Sequence, residues 1–144
     1  MIKKTHSGVY GIIMSGDAIL LVRKSRGPYT GKLDLVGGRS EEDETAEQTL
    51  VREVQEETGI QVLKASFWYE HTHQVHYQNE LGEDIELHHS ATVYKIDLYD
   101  ASSFMSNIHA EDVQGAEWYK ISELNAEDLS PLAVYAASKI KQLY

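Results

Sequence analysis

The 144-residue sequence contains no cysteine, only two prolines and no long apolar run. Without cysteine the chain forms no disulfide scaffold, cysteine nucleophile or thiolate metal site, and a reducing, cytoplasmic location fits this composition. The longest apolar run, from Ala18 to Val22, is far shorter than the roughly 20 residues that span a bilayer. Polar residues and glycine interrupt the apolar stretch near the N-terminus, so neither a signal peptide nor a membrane partner is expected.

The composition is that of one globular domain. Hydrophobic residues make up 42% of the sequence and charged residues 25%, close to the averages for soluble proteins. A chain of this length can bury a core without disulfides or metals, and we see no repeat, linker or low-complexity tract. We therefore expect a single domain over residues 1–144.

The charge distribution is uneven. Residues 1–40 carry seven Lys or Arg against two acids, whereas residues 41–144 carry six against 21, giving a net charge of −10. A nucleic-acid-binding protein is usually basic, so the overall charge argues against a nucleic-acid polymer as partner. The basic first quarter is suited to meet an anion, and the acidic remainder to hold cations.

Hydrophobic patterning and turn residues predict strands that alternate with two helices. The expected strands are 5–14, 17–24, 33–36, 61–77, 85–98 and 113–119, of which 61–77 and 85–98 form a hairpin. The expected helices are 44–58 and 129–142. This order indicates an α/β domain with helices packed on both faces of a mixed sheet.

Both helices carry signals at their ends. We expect Asp43 to cap the start of the helix 44–58 and Gly59 to end it in the left-handed conformation. The helix 129–142 has Ser130 as its cap and Pro131 in its first position.

The helix 44–58 carries three glutamates on one surface. Glu53, Glu56 and Glu57 are spaced i, i+3 and i, i+4, so their carboxylates are neighbours. Close carboxylates repel one another unless a hard divalent cation such as Mg²⁺ or Mn²⁺ lies among them. Arg52 lies beside Glu56 on the helix and can pair with an acid. A solvated acidic helix face is the alternative interpretation.

The sequence around this helix decides between the two interpretations. Residues 38–60 read GRSEEDETAEQTLVREVQEETGI. They match every fixed position of G-x5-E-x7-R-E-U-x-E-E-x-G-U, where U is apolar, and so resemble the signature of the Nudix hydrolases. The preceding GKLDLVGG also resembles the family, although Leu33 and Val36 stand where many members have Trp and Pro.

The resemblance implies a Nudix-type α/β/α sandwich and a Mg²⁺- or Mn²⁺-dependent pyrophosphohydrolase. Such an enzyme cleaves a nucleoside diphosphate linked to another moiety by attack of water on phosphorus. By resemblance Glu53, Glu56 and Glu57 are the metal ligands, and Glu44 and Arg52 fix the ligand geometry. Gly38 lets the backbone approach phosphate or metal. We favour Glu56 or Glu53 as the general base.

Acidic and basic residues outside the signature are further candidates for the site. Asp112 or Glu111, on a later loop, is a fourth ligand or an alternative base, and a solvated turn is an equally good interpretation of this pair. Among Arg23, Lys24 and Arg26, we choose Arg23 to bind the phosphate that the metal does not hold.

Five histidines lie on the predicted hairpin. A second metal site or a pH-sensitive pocket is conceivable there, but an exposed hairpin face is the favoured interpretation because no compact ligand spacing is evident. These residues are His71, His73, His76, His88 and His89.

The exact substrate is not fixed by the sequence. Secondary markers that the family associates with ADP-ribose and NADH hydrolases are absent, and the short chain is compatible with a MutT-like enzyme. A nucleotide-type small molecule is the expected partner, and a homodimer stays open. The competing hypothesis is a non-catalytic nucleotide-binding sensor on the same fold.

Overall fold

The computed structural model describes residues 1–143, within which eight strands form one mixed sheet. The spatial order is β5-β6-β1-β4-β3-β8-β7, and β2 pairs with β3. The strands are β1 (Ile2–Ile12), β2 (Met14–Ser15), β3 (Ala18–Lys24), β4 (Leu33–Gly38), β5 (Gln61–Gln78), β6 (Asp84–Asp100), β7 (His109–Ala110) and β8 (Val113–Lys120). The helices are α1 (Ala46–Thr58) and α2 (Pro131–Lys141), with two short 3-10 turns, Ile121–Glu123 and Ala126–Asp128, before α2.

One helix covers each face of the sheet. Successive side chains of a strand point to opposite faces, so Leu20 and Val22 of β3 pack toward α1 while Ile19 and Leu21 pack toward α2. The two resulting cores are built from separate sets of buried aliphatic residues. The predicted α/β architecture, with helices on both faces of a mixed sheet, is confirmed.

Strand β1 lies inside the sheet, between two strands that come later in the chain. It pairs in parallel with β6 from Ile2↔Ile85 to Ile12↔Lys95, and antiparallel with the end of β4, where Tyr10 is opposite Gly37. This arrangement brings residues of β1 beside the loop that leads into α1.

Helix α1 begins two residues later than predicted, and its cap is Thr45 rather than Asp43. The Thr45 hydroxyl accepts from the Gln48 N–H at 3.1 Å, and the Gln48 side chain accepts from the Thr45 N–H at 2.9 Å. This reciprocal capping box satisfies two backbone donors at once, which a single Asp43 cap does not. The predicted cap of α2, Ser130, is confirmed, as is Pro131 in its first position.

Gly59 ends α1 in the left-handed conformation, with φ of 78°, as predicted. A Cβ at this position would lie 2.2 Å from the carbonyl oxygen of Ser103. Both the backbone conformation and the close approach of the loop 101–108 therefore require glycine.

The β5–β6 hairpin is slightly longer than predicted. Its register is irregular between Val62 and Tyr69, and regular from Tyr69 to Gln78. In the part of the chain that the structure describes, no helix is long and apolar enough to cross a membrane.

Candidate active site

A cleft of about 510 Å³ opens where β4 ends and α1 packs against the sheet. Acidic and basic side chains both line it, so the cleft can hold both cations and anions. The acidic lining residues are Glu41, Glu53, Glu111 and Asp112, and the basic ones are Lys24, Arg26, Arg39 and Arg52.

Three carboxylates converge beside this cleft, which two of them, Glu53 and Glu111, line. Glu53 and Glu56 come from α1, and Glu111 comes from the turn between β7 and β8. One ligand atom from each lies within 4.8 Å of the others, and this is the one such group of His, Cys, Asp or Glu among residues 1–143. Glu111 has a φ of 50°, a left-handed conformation that non-glycine residues rarely adopt. A non-glycine residue held in this region is typical of functional sites.

Glu57, the third predicted ligand, is placed differently. Its side chain is 4% exposed, and its Oε1 accepts a hydrogen bond from the Gly37 N–H at 2.9 Å. The structure therefore brings two of the three predicted ligands together with Glu111 and uses one oxygen of Glu57 to hold the end of β4.

The Arg52 guanidinium contacts three acids, Glu44, Glu53 and Glu56. Its Nε and Nη2 donate to the two oxygens of Glu44 at 2.6 and 2.8 Å, and its Nη1 donates to Glu53 Oε1 at 2.9 Å. The more exposed Glu56 lies 3.3 Å from Nη1. Hydrogen bonds from Arg52 lower the pKa of Glu44 to about 2. This geometry is consistent with the orienting role predicted for Arg52 and Glu44.

The buried acids resist ionisation. Burial, followed by the neighbouring charge of Glu111, raises the pKa of Glu53 to about 7 despite the contact with Arg52. Burial also raises the pKa of Glu57 well above its ordinary value, against the Gly37 hydrogen bond. A cation placed among these oxygens would relieve the repulsion, and carboxylate oxygens are the ligands that Mg²⁺ and Mn²⁺ prefer. The donor set of this cleft thus fits such an ion.

Gly38 leaves space for one of these acids. A Cβ on Gly38 would lie 2.6 Å from the Glu53 carboxyl carbon. The Glu53 carboxylate is thus seated directly against the backbone of β4, and any larger residue at position 38 would displace it.

The two remaining predicted site residues are not with the carboxylate group. Asp112 lines the cleft, but its carboxylate is paired with the Lys24 ammonium. Arg23 donates to the Gly31 carbonyl at 2.9 Å and lines a separate groove beside Gln114. Side chains alternate along β3, so Lys24 lies on the face of Leu20 and Val22 and Arg23 does not. Lys24 and Arg26 line the cleft instead.

Three cleft residues were missed by sequence reasoning. Arg39 Nη2 donates to His6 Nδ1 at 2.8 Å, and the Tyr10 hydroxyl lies between His6 Nε2, at 3.4 Å, and His89 Nε2, at 3.0 Å. A guanidinium can only donate, so His6 Nδ1 accepts and the ring proton is on Nε2. No local signal marks these residues, because they meet only through the pairing of β1 with β4 and β6.

The hairpin histidines divide into two groups. His76 and His88 are exposed and contact Glu86, as the interpretation of an exposed face requires. That interpretation is wrong for His89, which is 3% exposed and packs beside Tyr29. Burial is the main cause that lowers the pKa of His89 to about 3. His73 is half-buried, and its Nε2 lies 2.6 Å from the Tyr29 hydroxyl.

Comparison with known proteins agrees with this geometry. A family model described as "NUDIX domain" matches residues 4–139. An 8-oxo-dGTP diphosphatase of Escherichia coli (strain K12) is 27% identical over 142 residues, which cover 98% of this chain and 99% of that protein. An ADP-ribose pyrophosphatase of Methanocaldococcus jannaschii is 44% identical over 52 residues, covering 36% of this chain. That match spans only 31% of the archaeal protein's length.

Among solved structures, a MutT NUDIX hydrolase from Burkholderia pseudomallei is similar with a TM-score of 0.75. It is 23% identical, and the match covers 94% of this chain and 98% of that chain. At this level of identity the similarity establishes the fold.

Proposed function

This chain belongs to the NUDIX family of hydrolases, which act on phosphoric anhydride bonds, and from that premise we propose its cofactor, substrate class and site residues. It is a Mg²⁺- or Mn²⁺-dependent pyrophosphohydrolase that cleaves a nucleoside diphosphate linked to another moiety. The observation that carries the proposal is the convergence of ligand atoms of Glu53, Glu56 and Glu111 within 4.8 Å, beside a cleft that basic side chains also line.

The carboxylates of Glu53, Glu56 and Glu111 would hold the divalent ion. Bound there, the ion would neutralise phosphate charge and lower the pKa of a water molecule. Arg52 keeps the Glu53 carboxylate in place through its 2.9 Å hydrogen bond. Glu57, the other predicted ligand, has one oxygen held by Gly37, so its second oxygen is the one available to an ion.

The basic residues of the cleft would bind the phosphates. Lys24, Arg26 and Arg39 line the same cleft as Glu53 and Glu111, and their charges would orient the pyrophosphate with one phosphorus toward the acids. This set replaces Arg23, whose side chain is engaged with Gly31 on another side of β3.

A carboxylate must take the proton of the attacking water. Glu53 and Glu56 remain the favoured bases, and Glu111 is the better alternative because Asp112 is paired with Lys24. Glu111 has a left-handed backbone, and one of its carboxylate oxygens lies within 4.8 Å of those of Glu53 and Glu56.

A hydrolysis screen tests the proposal directly. The purified protein is incubated with nucleoside triphosphates, oxidised nucleotides, ADP-ribose, nucleotide sugars and dinucleoside polyphosphates, with Mg²⁺, Mn²⁺ or chelator. We expect metal-dependent release of phosphate or pyrophosphate from one class of substrate. Hydrolysis in ¹⁸O-labelled water then identifies the phosphorus that is attacked.

The competing function is a nucleotide-binding sensor. The complete signature and the convergence of Glu53, Glu56 and Glu111 favour the enzyme, because binding alone does not require three crowded carboxylates. Inactivity across the panel in both metals, together with ligand-induced thermal stabilisation, would favour the sensor.

Location, nucleic-acid binding and oligomeric state stay predictions. A cytoplasmic location rests on the lack of cysteine, and the lack of a nucleic-acid partner rests on the net charge of −10. Whether the chain forms a homodimer is left to measurement in solution.

A further inference from the structure

A second cavity of about 290 Å³ adjoins the cleft and shares Tyr10, Lys24 and Asp112 with it. Tyr29 and His89 stand on its wall as stacked rings, with centroids 6.3 Å apart and an interplanar angle of 26°. Its volume is at the lower end of the range for small-molecule sites, and its ring-lined walls suit a planar group.

Asp34 of β4 lies in this cavity and has no part in the chemistry described above. Its side chain is 2% exposed, and it accepts hydrogen bonds from the Leu35 N–H at 2.8 Å and from the Ser130 hydroxyl at 2.7 Å. Both of these bonds go to Oδ1. Within residues 1–143 no protein donor reaches Oδ2, so this oxygen is left to face the cavity that Asp34 lines.

A carboxylate oxygen that faces a cavity without a protein donor is available to accept a hydrogen bond from a ligand. The other acid of the cavity, Asp112, is already paired with Lys24. The outer part of the cavity carries the cations Lys4, Arg26 and Arg39. The cavity therefore suits a ligand that is planar, presents an N–H donor at its inner edge and carries negative charge at its outer end.

We propose that Asp34 is the specificity-determining residue of a nucleobase pocket, and that its Oδ2 accepts a hydrogen bond from the exocyclic amino group of the base. This inference rests on the proposed function, because the phosphates must lie in the adjoining cleft. It selects amino-bearing bases over their oxo counterparts, since a carbonyl oxygen would face the carboxylate oxygen without a shared proton.

The test compares nucleotides that differ at an exocyclic amino group and, for CTP/UTP and ATP/ITP, also at the proton of the adjacent ring nitrogen. The matched pairs are CTP against UTP, ATP against ITP, and GTP against ITP, and the readout is the ratio of kcat/KM within each pair. Burial raises the pKa of Asp34, against the nearby charge of Lys24, so the assays are run at mildly alkaline pH to keep the carboxylate ionised.

The informative variant is Asp34→Asn. The amide retains an acceptor for Leu35 and Ser130 but presents an NH2 donor where Oδ2 was. In the wild-type protein we expect the amino member of at least one pair to be preferred roughly tenfold to hundredfold. In Asp34→Asn that preference should fall by a similar factor or reverse.

Ser130→Ala provides the matched control. It removes the hydrogen bond to Oδ1 and leaves Oδ2 as an acceptor. Any loss of folded protein cancels, because each ratio is taken on one preparation. The amino preference should persist in this variant, and its loss there to the same extent as in Asp34→Asn would mean that Asp34 acts only by holding α2.

The same comparison separates this inference from the proposed function. Hydrolysis with no amino preference in the wild type, or with a preference that Asp34→Asn leaves unchanged, would overturn the inference and leave the enzyme assignment standing. Binding of CMP, UMP, AMP, GMP and IMP is measured alongside by calorimetry. No hydrolysis, combined with an amino preference in binding that Asp34→Asn abolishes, would overturn the function and support the pocket.

Discussion

Arg52 forms a bidentate pair of hydrogen bonds with Glu44, with Nε 2.6 Å from Oε2 and Nη2 2.8 Å from Oε1. The same guanidinium reaches Glu53 through Nη1 at 2.9 Å and the Arg39 carbonyl through Nη2 at 3.0 Å. The loop before α1 therefore determines where the Glu53 carboxylate stands, although Glu44 itself is not in the group of three converging acids.

Arg52→Lys should show how much these hydrogen bonds contribute to activity and to metal affinity. A lysine keeps the charge but loses the two-pronged geometry, so Glu53 is no longer held in one orientation. We expect kcat/KM and the affinity for Mg²⁺ to fall about tenfold to a hundredfold. Glu44→Gln removes the same contact from the other side and should give an effect of similar size. Unchanged metal affinity in both variants would show that Glu53 is positioned without Arg52.

Neutralising one of the converging acids should weaken metal binding but stabilise the metal-free protein. Glu56→Gln and Glu111→Gln each remove one ligand and one negative charge. We expect Mg²⁺ affinity measured by calorimetry to fall at least about tenfold, and turnover to fall by several orders of magnitude in Glu56→Gln.

Metal-free stability should move the other way. Less repulsion should raise the free energy of unfolding in chelator by a few tenths of a kcal/mol. Glu47→Gln is the matched control, because Glu47 is exposed on the same helix and is not in the group. If Glu47→Gln weakens metal binding as much as the other two, the effect is one of overall charge and not of a defined site.

Comparing Gly59 with Gly82 separates two costs of replacing glycine. One is backbone strain in the left-handed conformation, and the other is steric overlap of the added Cβ. Both are left-handed, with φ of 78° and 77°, but only at Gly59 would a Cβ meet a backbone atom, the Ser103 oxygen at 2.2 Å. Gly82→Ala should cost about 1–2 kcal/mol in urea unfolding, from backbone strain alone. Gly59→Ala should cost about 1–3 kcal/mol more, because the loop 101–108 must move. Equal losses in the two variants would contradict the close approach.

His89 should make the protein sensitive to acid. Its pKa falls from 6.5 to about 3 on folding, mainly through burial. Between these values the unfolded chain binds a proton on His89 and the folded protein does not. Stability from this group is complete above about pH 6.5 and is lost as pH falls toward the folded pKa. From pH 7.5 to pH 5 we expect wild type to lose about 1–2 kcal/mol more than His89→Gln.

Urea titrations at the two pH values measure this difference. The other titrating groups are common to both proteins, so their contributions cancel in the comparison. His109→Gln serves as the control, because His109 is exposed. Parallel losses in wild type and His89→Gln would show that His89 takes up a proton without unfolding.

The parts of the site that could be predicted are those written in consecutive residues. The positions of Glu53, Glu56 and Arg52 on one surface follow from helical spacing, and the left-handed Gly59 follows from its place after the helix. The cap at Thr45 could also have been predicted, because Thr45 and Gln48 have the spacing of a capping box.

The parts that could not be predicted depend on strand pairing. His6 meets Arg39 because β1 pairs with β4, and His89 is buried because it pairs with His6 across β1 and β6. A long hairpin with alternating residues does not reveal which of its edges another strand will pair with, or what will pack on each of its faces. The placement of Lys24 rather than Arg23 in the cleft was out of reach for a related reason, since a single step along β3 moves a side chain to the opposite face.

The place of β1 in the sheet also sets an order of events during synthesis. The hairpin of β5 and β6 can close from neighbouring residues, but β1 has no parallel partner until Lys95 has left the ribosome. The edge of β1 that pairs with β6 thus stays unpaired until β6 has been made, although β3, β4 and α1 can already pack around Val9. A stalled or truncated chain that ends before β6 would expose that edge, and an unpaired strand edge is a template for aggregation.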